Sequence, residues 1–267
     1  MKILILRILL RDSIIIYWSH NTKTYSKLLT EEPMRLLLIS NSTNAGEDYL
    51  DYPKHNISDF LGEKPVKCLF IPYAGVTISF DDYEKRVKER FKEVGHDIIS
   101  IHHSEDPVQA VKEADAIVVG GGNTFQLIKM IHDNKLIDPV RDKILSGTPF
   151  IGWSAGSNVA CPTIRTTNDM PILEPAAFDA FNLIPFQINP QYTDKNPDGH
   201  AGETREDRIN EFLEVNREIT VMGLREGCML RIENHEMKLI GNRSVRIFKY
   251  GAAPVELGSS DNFSVFL

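Results

Sequence analysis

The stretch that decides the fold is FIGWSAGSNVACPTIRTTNDMP, residues 150–171. It begins inside a short apolar segment, 148–153, which has the length and composition of a buried strand. Ser154 follows at once, and Gly152 and Gly156 flank it in a Gly-x-Ser-x-Gly frame. A strand, a serine turn and a helix are typical of a nucleophile elbow, in which the turn exposes the serine hydroxyl. The alternative is a serine that only caps the following helix.

Short apolar segments alternate with helical patterns ahead of this stretch. They predict strands at 35–42, 66–74, 96–103 and 115–122, and helices at 81–94, 106–114 and 123–134. After Pro171 a loop-rich stretch leads to a helix at 204–216 and to strands at 219–224, 228–241 and 244–250, the second of these a hairpin turning at Glu233–Asn234. This alternation predicts an α/β fold, a mostly parallel sheet with helices on both faces.

Two predicted strands end in glycine-containing turns at the carboxyl edge of the sheet, where such folds bind ligands. One is Gly120–Gly122, and the other is Gly152–Ser154. The amide of Ala155, at the start of a helix, can bind an oxyanion, and the glycine run can supply a second amide. A nucleotide role for the glycine run is disfavoured, because neither a Gly-x-Gly-x-x-Gly pattern nor a Walker lysine accompanies it.

Composition narrows the possible functions. The 267 residues are 42% hydrophobic, enough for one large domain or two small ones, and the net charge of −7 argues against nucleic acid as a partner. The mixed charges of 81–90 predict the solvated face of a helix. The spacing of the three cysteines, Cys68, Cys161 and Cys228, predicts neither a disulfide framework nor a cysteine-rich zinc site. We therefore expect the protein to be located in the reducing cytoplasm. No histidine or carboxylate shows metal-ligand spacing, so the sequence predicts neither a metal nor an organic cofactor.

Residues 1–33 precede the first regular strand and are interpreted as an N-terminal extension. Their apolar run is interrupted by Arg7, Arg11 and Asp12. It is therefore a poor membrane-spanning segment and a weak signal peptide, and no membrane association is expected. We expect residues 34–267 to form a single domain, which acts as a monomer or a homodimer.

A nucleophilic serine needs a base. Of the eight histidines, His200 is the only one between Ser154 and the final strands that looks free to reach a site. It lies in NPDGHAGETRE, residues 196–206, a glycine-containing loop beside charged residues.

Four segments together resemble the peptidase E family, the α-aspartyl dipeptidases. They are GGGNTFQL (120–127), GWSAGSNVACPTIRTTNDMPI (152–172), INPQYTD (188–194) and GHAGETREDRI (199–209). The resemblance runs from Met34 to about the C-terminus. It implies a three-layer α/β/α sandwich related to the class I glutamine amidotransferases. It also implies cleavage of small acidic dipeptides with an N-terminal aspartate, without a cofactor. An amidotransferase activity itself is disfavoured, because that chemistry needs a cysteine at the elbow.

The resemblance implies roles for individual residues. Ser154 would be the nucleophile, and the amides of Gly122 and Ala155 would form the oxyanion hole. Asp169 would be an active-site acid, and Glu226 of GLREG is the other candidate for the acid of the triad.

The resemblance also implies that Arg205 clamps the substrate aspartate, since a guanidinium can hold a carboxylate by two parallel hydrogen bonds. The alternative for Arg205 is an ordinary arginine at the start of a helix.

One position departs from the family, which carries a histidine where this chain has Gln191. A glutamine amide has no usable proton affinity near neutral pH, so it can hold the serine but cannot act as its base. Three explanations stay open: a weakened or inactive homologue, His200 as a substitute base, or an introduced substitution in an active enzyme. The sequence therefore predicts either an Asp-X dipeptidase or a protein that only binds acidic dipeptides.

Overall fold

The computed structural model describes residues 34–196, 199 and 201–267, together with the backbone of 9–10 and 13–14, which pair as two short antiparallel strands. The chain divides into two compact units, Met1–Thr30 and Glu31–Leu267, and the account below concerns the second. The boundary between an extension at 1–33 and a domain at 34–267 stays a prediction, because most of the extension lies outside the described residues. None of the helices within the described ranges is both long and apolar enough to cross a bilayer.

The described part of the second unit contains eleven strands and seven α-helices. The strands are β1 (Leu36–Ile39), β2 (Lys67–Ile71), β3 (Asp97–Ser100), β4 (Ala116–Val119), β5 (Phe150–Trp153), β6 (Gln187–Pro190), β7 (Thr220–Leu224), β8 (Met229–Glu233), β9 (Glu236–Ile240), β10 (Val245–Lys249) and β11 (Val255–Leu257). The helices are α1 (Lys54–Leu61), α2 (Phe80–Glu93), α3 (Pro107–Glu113), α4 (Thr124–Asp133), α5 (Ile137–Leu145), α6 (Ala155–Asn158) and α7 (Arg205–Val215). Short 3-10 turns lie at Ile101–His103 and Ser264–Phe266.

The larger sheet has seven strands in the order β9-β8-β1-β5-β4-β2-β3. The last five strands in this order, β1-β5-β4-β2-β3, pair in parallel. Strand β8 pairs antiparallel with β1, and β9 pairs antiparallel with β8. A second sheet has the order β11-β10-β7-β6, in which only β6 and β7 are parallel. The predicted α/β class with a mostly parallel central sheet is confirmed.

Helices cover both faces of the larger sheet. Side chains alternate along a strand, so Leu36 and Leu38 of β1 belong to one core cluster and Leu37 and Ile39 to the other. The first cluster packs against α3, α4 and α5, and the second packs against α1 and α2. Each fully buried leucine or isoleucine contributes about 1.5–3 kcal/mol, and the two apolar cores hold the three layers together.

The structure corrects several predicted elements. The strand predicted at 96–103 ends at Ser100, and a 3-10 turn follows it. The hairpin turns at Asn234–His235, both with positive φ, one residue later than predicted. The pattern missed α1, α5 and β6. Neither α1 nor α5 has a side-chain N-cap, and β6 is a four-residue strand that ends in proline.

Arg225 joins the chain after β6 to the second sheet. It is only 8% exposed, and its guanidinium bonds to Asp194, to the carboxylate of Glu256 and to the carbonyl of Ser244. The hydrogen bond from Arg225 lowers the pKa of Glu256 to about 2. Because a buried cation is costly without its partners, this cluster fixes the path of the segment that follows Gln191.

The lowered pKa of Glu256 predicts a pH-dependent contribution to stability. A carboxyl with a depressed folded-state pKa stabilises the protein above its ordinary value, 4.5, and that contribution disappears as the pH falls towards about 2. We therefore expect Glu256→Gln to lower the urea midpoint at neutral pH, with a difference that shrinks between these two values. Glu236→Gln, at an exposed pair with Lys238, is the control and should change little. A difference that stays constant with pH would contradict this assignment.

Candidate active site

Strand β5 ends in a tight turn at Ser154, as the glycine frame predicts. Ser154 has φ 53° and ψ −113°, an uncommon conformation for a residue other than glycine. A Cβ on Gly152 would lie 2.4 Å from the carbonyl oxygen of Gly156, and one on Gly156 would lie 2.1 Å from that of Val119. Only glycine permits so close a passage of strand and helix, and this close packing holds the strained turn in place.

The Ser154 side chain does not cap α6, so the alternative of a capping serine is wrong. Its Oγ instead accepts a hydrogen bond of 2.7 Å from Nε2 of Gln191. Ser154 is half-buried and lines a cavity of about 440 Å³, together with Gly122, Asp169 and Gln191. The hydroxyl is therefore accessible to a small ligand.

Two main-chain amides near the serine are not engaged. Gly122 has φ 134°, and a Cβ on it would lie 2.2 Å from the carbonyl oxygen of Ala74, so this position requires glycine. Within the described part of the chain, the N–H groups of Gly122 and Ala155 donate no hydrogen bond. Unengaged amides at a helix start and a glycine turn can donate hydrogen bonds to an anionic oxygen.

Gln191 follows β6 directly and has φ 54°. Its own N–H donates to Oγ of Ser40 at 2.9 Å, which fixes the backbone of this turn. Since the side-chain amide donates to Ser154, the serine oxygen acts as acceptor in this contact. Gln191 is thus the side chain in contact with the serine hydroxyl, and its amide cannot take a proton.

Asp169 lies at the N-terminus of α4. Its Oδ2 accepts hydrogen bonds from the N–H of Thr124 at 2.7 Å, from Oγ1 of Thr124 at 2.5 Å and from Oγ1 of Thr167 at 3.2 Å. The helix start also stabilises its negative charge. None of the described hydrogen bonds joins Asp169 to Gln191, so Asp169 does not orient that side chain directly.

Arg205 is the first residue of α7, behind a capping box formed by Thr204 and Asp207. It lines a second cavity of about 130 Å³, and Asp169 lines both this cavity and the one beside Ser154. Burial, with Arg208 close by, lowers the pKa of the Arg205 guanidinium, which remains a cation. Arg205 makes no ion pair within 4.0 Å to any residue that the structure describes, so its charge is available to a ligand.

Of the predicted site residues, Glu226 is not brought to the serine. Glu226 is exposed in the turn between β7 and β8 and lines neither the 440 Å³ cavity nor the 130 Å³ one. Its carboxylate makes no hydrogen bond within the described ranges, and in particular none to Gln191. His200 lies outside the described residues, so its role as substitute base stays a prediction.

The residues of the cavity that were not assigned to it from the sequence include Tyr49, Tyr83 and Arg86. The guanidinium of Arg86 lies 4.0 Å above the ring of Tyr49. The hydroxyl of Tyr83, whose pKa is raised by burial, donates to the carbonyl oxygen of Gly121 at 2.9 Å. The helical spacing of Tyr83 and Arg86, three residues apart on one face of α2, was the available signal.

Comparison with known proteins identifies relatives that are peptidases, which is consistent with a serine held in a strained turn beside a cavity. Residues 36–240 match peptidase family S51. The chain belongs to peptidase family S51. Its family relatives include peptidase E of a Nostoc species, 51% identical over 87% of this chain and 96% of the relative. Peptidase E of Salmonella typhimurium is 45% identical over 86% of this chain and all of the relative.

Solved structures share the fold of this S51 member. The crystal structure of a peptidase from an acI-B1 actinobacterium superimposes with a TM-score of 0.63 at 16% identity, covering 87% of this chain and 98% of that one. The resemblance to peptidase E that the four segments carry is confirmed, and the chain is a peptidase by family.

Proposed function

We propose that this protein is a serine-type dipeptidase that hydrolyses Asp-X dipeptides through an acyl-enzyme on Ser154. The observation that carries the proposal is the Ser154 hydroxyl, held in a strained turn and open to a cavity beside two unengaged amides. Oγ of Ser154 attacks the peptide carbonyl, and the amides of Gly122 and Ala155 bind the oxyanion. The amine of the second residue leaves with the proton that Oγ of Ser154 has lost, and water then hydrolyses the ester and releases aspartate.

The charges around the two cavities complement an Asp-X dipeptide. Arg205, in the smaller cavity, binds the carboxylate of the aspartate side chain. Asp169, which lines both cavities, lies where it can bind the free ammonium group of the same residue. Arg86, at the larger cavity, binds the carboxylate of the second residue. An N-terminal aspartate is thus recognised by one cation and one carboxylate.

Gln191 slows this reaction, because the serine proton has no acceptor of sufficient basicity in its only described hydrogen-bond partner. The oxyanion hole and substrate binding still leave catalysis of about 10³–10⁴-fold over water in enzymes that lack a triad member. Slow turnover is therefore the expected state of the native chain.

The contact between Gln191 and Ser154 favours a second candidate, a protein that binds acidic dipeptides without cleaving them. Calorimetry with Asp-Leu, followed by chromatography of the same sample, separates the two functions. Released aspartate and leucine support the peptidase, and saturable binding of a dipeptide that remains intact supports the binding protein.

Arg205 provides the test of substrate class. In a Gln191→His background, we expect Arg205→Lys to lower kcat/KM for Asp-Leu by about 30-fold or more, because a lysine cannot form the bidentate pair. Hydrolysis of Ala-Leu, which has no side-chain carboxylate, should not decline. The matched control is Arg208→Lys, since Arg208 lines the same cavity but is exposed and pairs loosely with Glu203 at 3.8 Å. Equal losses on both dipeptides would exclude Arg205 as the aspartate clamp.

A further inference from the structure

Two carboxylates and two imidazoles converge away from the serine. Asp81 and Glu84 lie one turn apart at the start of α2, and His102 and His103 form the 3-10 turn after β3. One ligand atom from each of the four lies within 4.8 Å of those of the other three. None of these residues lines the cavity at Ser154.

Three of the six distances between these atoms lie on either side of the value expected for a tetrahedral metal site. Nε2 of His102 lies 2.9 Å from Oδ1 of Asp81, and Nε2 of His103 lies 3.7 Å from the same oxygen and 2.7 Å from Oε2 of Glu84. Zinc bonds to histidine nitrogen and carboxylate oxygen at about 2.0–2.2 Å, so neighbouring ligand atoms in a tetrahedron lie about 3.3 Å apart. The three contacts bracket that value.

Ser100 orients two of the side chains. Its buried hydroxyl lies 2.6 Å from Nδ1 of His102 and 3.5 Å from the carbonyl oxygen of Phe70, and its N–H donates to Oε1 of Glu84 at 3.0 Å. In the tautomer with hydrogen on Nδ1, His102 donates a hydrogen bond to the hydroxyl of Ser100 and keeps a lone pair on Nε2 for a metal ion. In metal sites, the histidine nitrogen that does not bind the metal usually donates a hydrogen bond to a neighbouring group, which fixes the tautomer and the orientation of the ring.

In that tautomer Nε2 of His102 and Oδ1 of Asp81 are two acceptors that lie 2.9 Å apart, and a cation between them would join both. One divalent ion satisfies both imidazoles and both carboxylates at once.

We propose that Asp81, Glu84, His102 and His103 bind one zinc ion with tetrahedral geometry. Nitrogen and oxygen donors in equal number suit zinc better than magnesium or calcium, which prefer oxygen alone. The ion joins the start of α2 to the end of β3. It thereby stabilises the position of the helix that carries Tyr83 and Arg86. The site does not depend on hydrolysis at Ser154.

The test is a zinc titration of the full chain after treatment with a chelator. We expect one zinc ion per chain by calorimetry, a higher Tm with zinc than without, and the intense visible absorption of four-coordinate cobalt when Co²⁺ replaces zinc. Glu84→Gln should weaken binding by about tenfold or more, and the double variant His102→Ala/His103→Ala should abolish it. His132→Ala removes a histidine on α4 outside the cluster and should bind zinc as the native chain does.

Three results would overturn the proposal: no saturable zinc binding, equal affinity in the double variant, or weak six-coordinate cobalt bands. If the double variant does not fold, Asp81→Asn keeps the shape of the exposed side chain and removes a charged ligand. Unchanged zinc affinity in folded Asp81→Asn and Glu84→Gln proteins would equally exclude the site. Ser154→Ala should leave zinc binding intact, so the failure of the peptidase proposal and of this one are distinguishable.

Discussion

Replacing Gln191 by histidine is expected to raise kcat/KM for Asp-Leu by about 10²–10⁴-fold, the usual contribution of a positioned general base. The amide Nε2 of Gln191 already lies 2.7 Å from Oγ of Ser154, so an imidazole on the same backbone starts close to the proton it must take. The turn at Gln191 is held by its own N–H bond to Ser40, which the substitution leaves in place.

The measurement is a steady-state assay of Asp-Leu cleavage by the native chain, Gln191→His and Gln191→Asn. Asparagine is the matched control, because it is an amide that also lacks proton affinity and should bring no gain. A histidine variant that folds, binds the dipeptide and is no faster than the native chain would place the base elsewhere. Adding His200→Ala to the native chain then decides whether the residual rate depends on that histidine.

Removing the Ser154 hydroxyl in the Gln191→His background is expected to lower kcat by about 10⁴-fold or more, because loss of a nucleophile removes the covalent route entirely. Binding of Asp-Leu should survive, since Arg205, Asp169 and the two amides are unchanged. The loss should therefore fall on kcat rather than on affinity.

Ser42→Ala is the matched control for that variant. Ser42 lines the same cavity but lies outside the turn between β5 and α6, so its loss should leave most of the activity. Calorimetry on Ser154→Ala with intact Asp-Leu checks that the site still binds. Comparable rates in Ser154→Ala and Ser42→Ala would refute the nucleophile assignment.

The fold could be predicted largely from local patterns. Four-residue apolar strands such as Ala116–Val119 are buried on both faces, and the sequence shows them as continuous apolar runs. Gly152 and Gly156 identified the close passage of strand and helix, because their steric requirement is local. By contrast, β6 contains Gln187 and Asn189, polar residues that are buried only because Thr163 and Thr166 pair with them. No local pattern reveals such partners.

The candidate site likewise contains residues that local sequence patterns reveal and residues that they do not. The glycine turn, Ser154 and Gln191 lie in short motifs, and the structure brings them together at one edge of the sheet. Arg86 was not assigned to the cavity, because its charge resembles any other on an exposed helix and only its spacing from Tyr83 places the two residues on one face. The cluster around His102 was equally hidden, since its ligands come from two elements whose contact depends on the packing of α2 against β3.

The central claim, that the Ser154 hydroxyl is the reacting nucleophile, is tested most directly by covalent labelling. The native chain and Gln191→His are treated with a fluorophosphonate, digested and mapped by mass spectrometry. The predicted result is a single adduct on the peptide that contains Ser154, formed much faster when residue 191 is histidine. A protein that cleaves Asp-Leu while Ser154 remains unlabelled and another residue carries the adduct would contradict it.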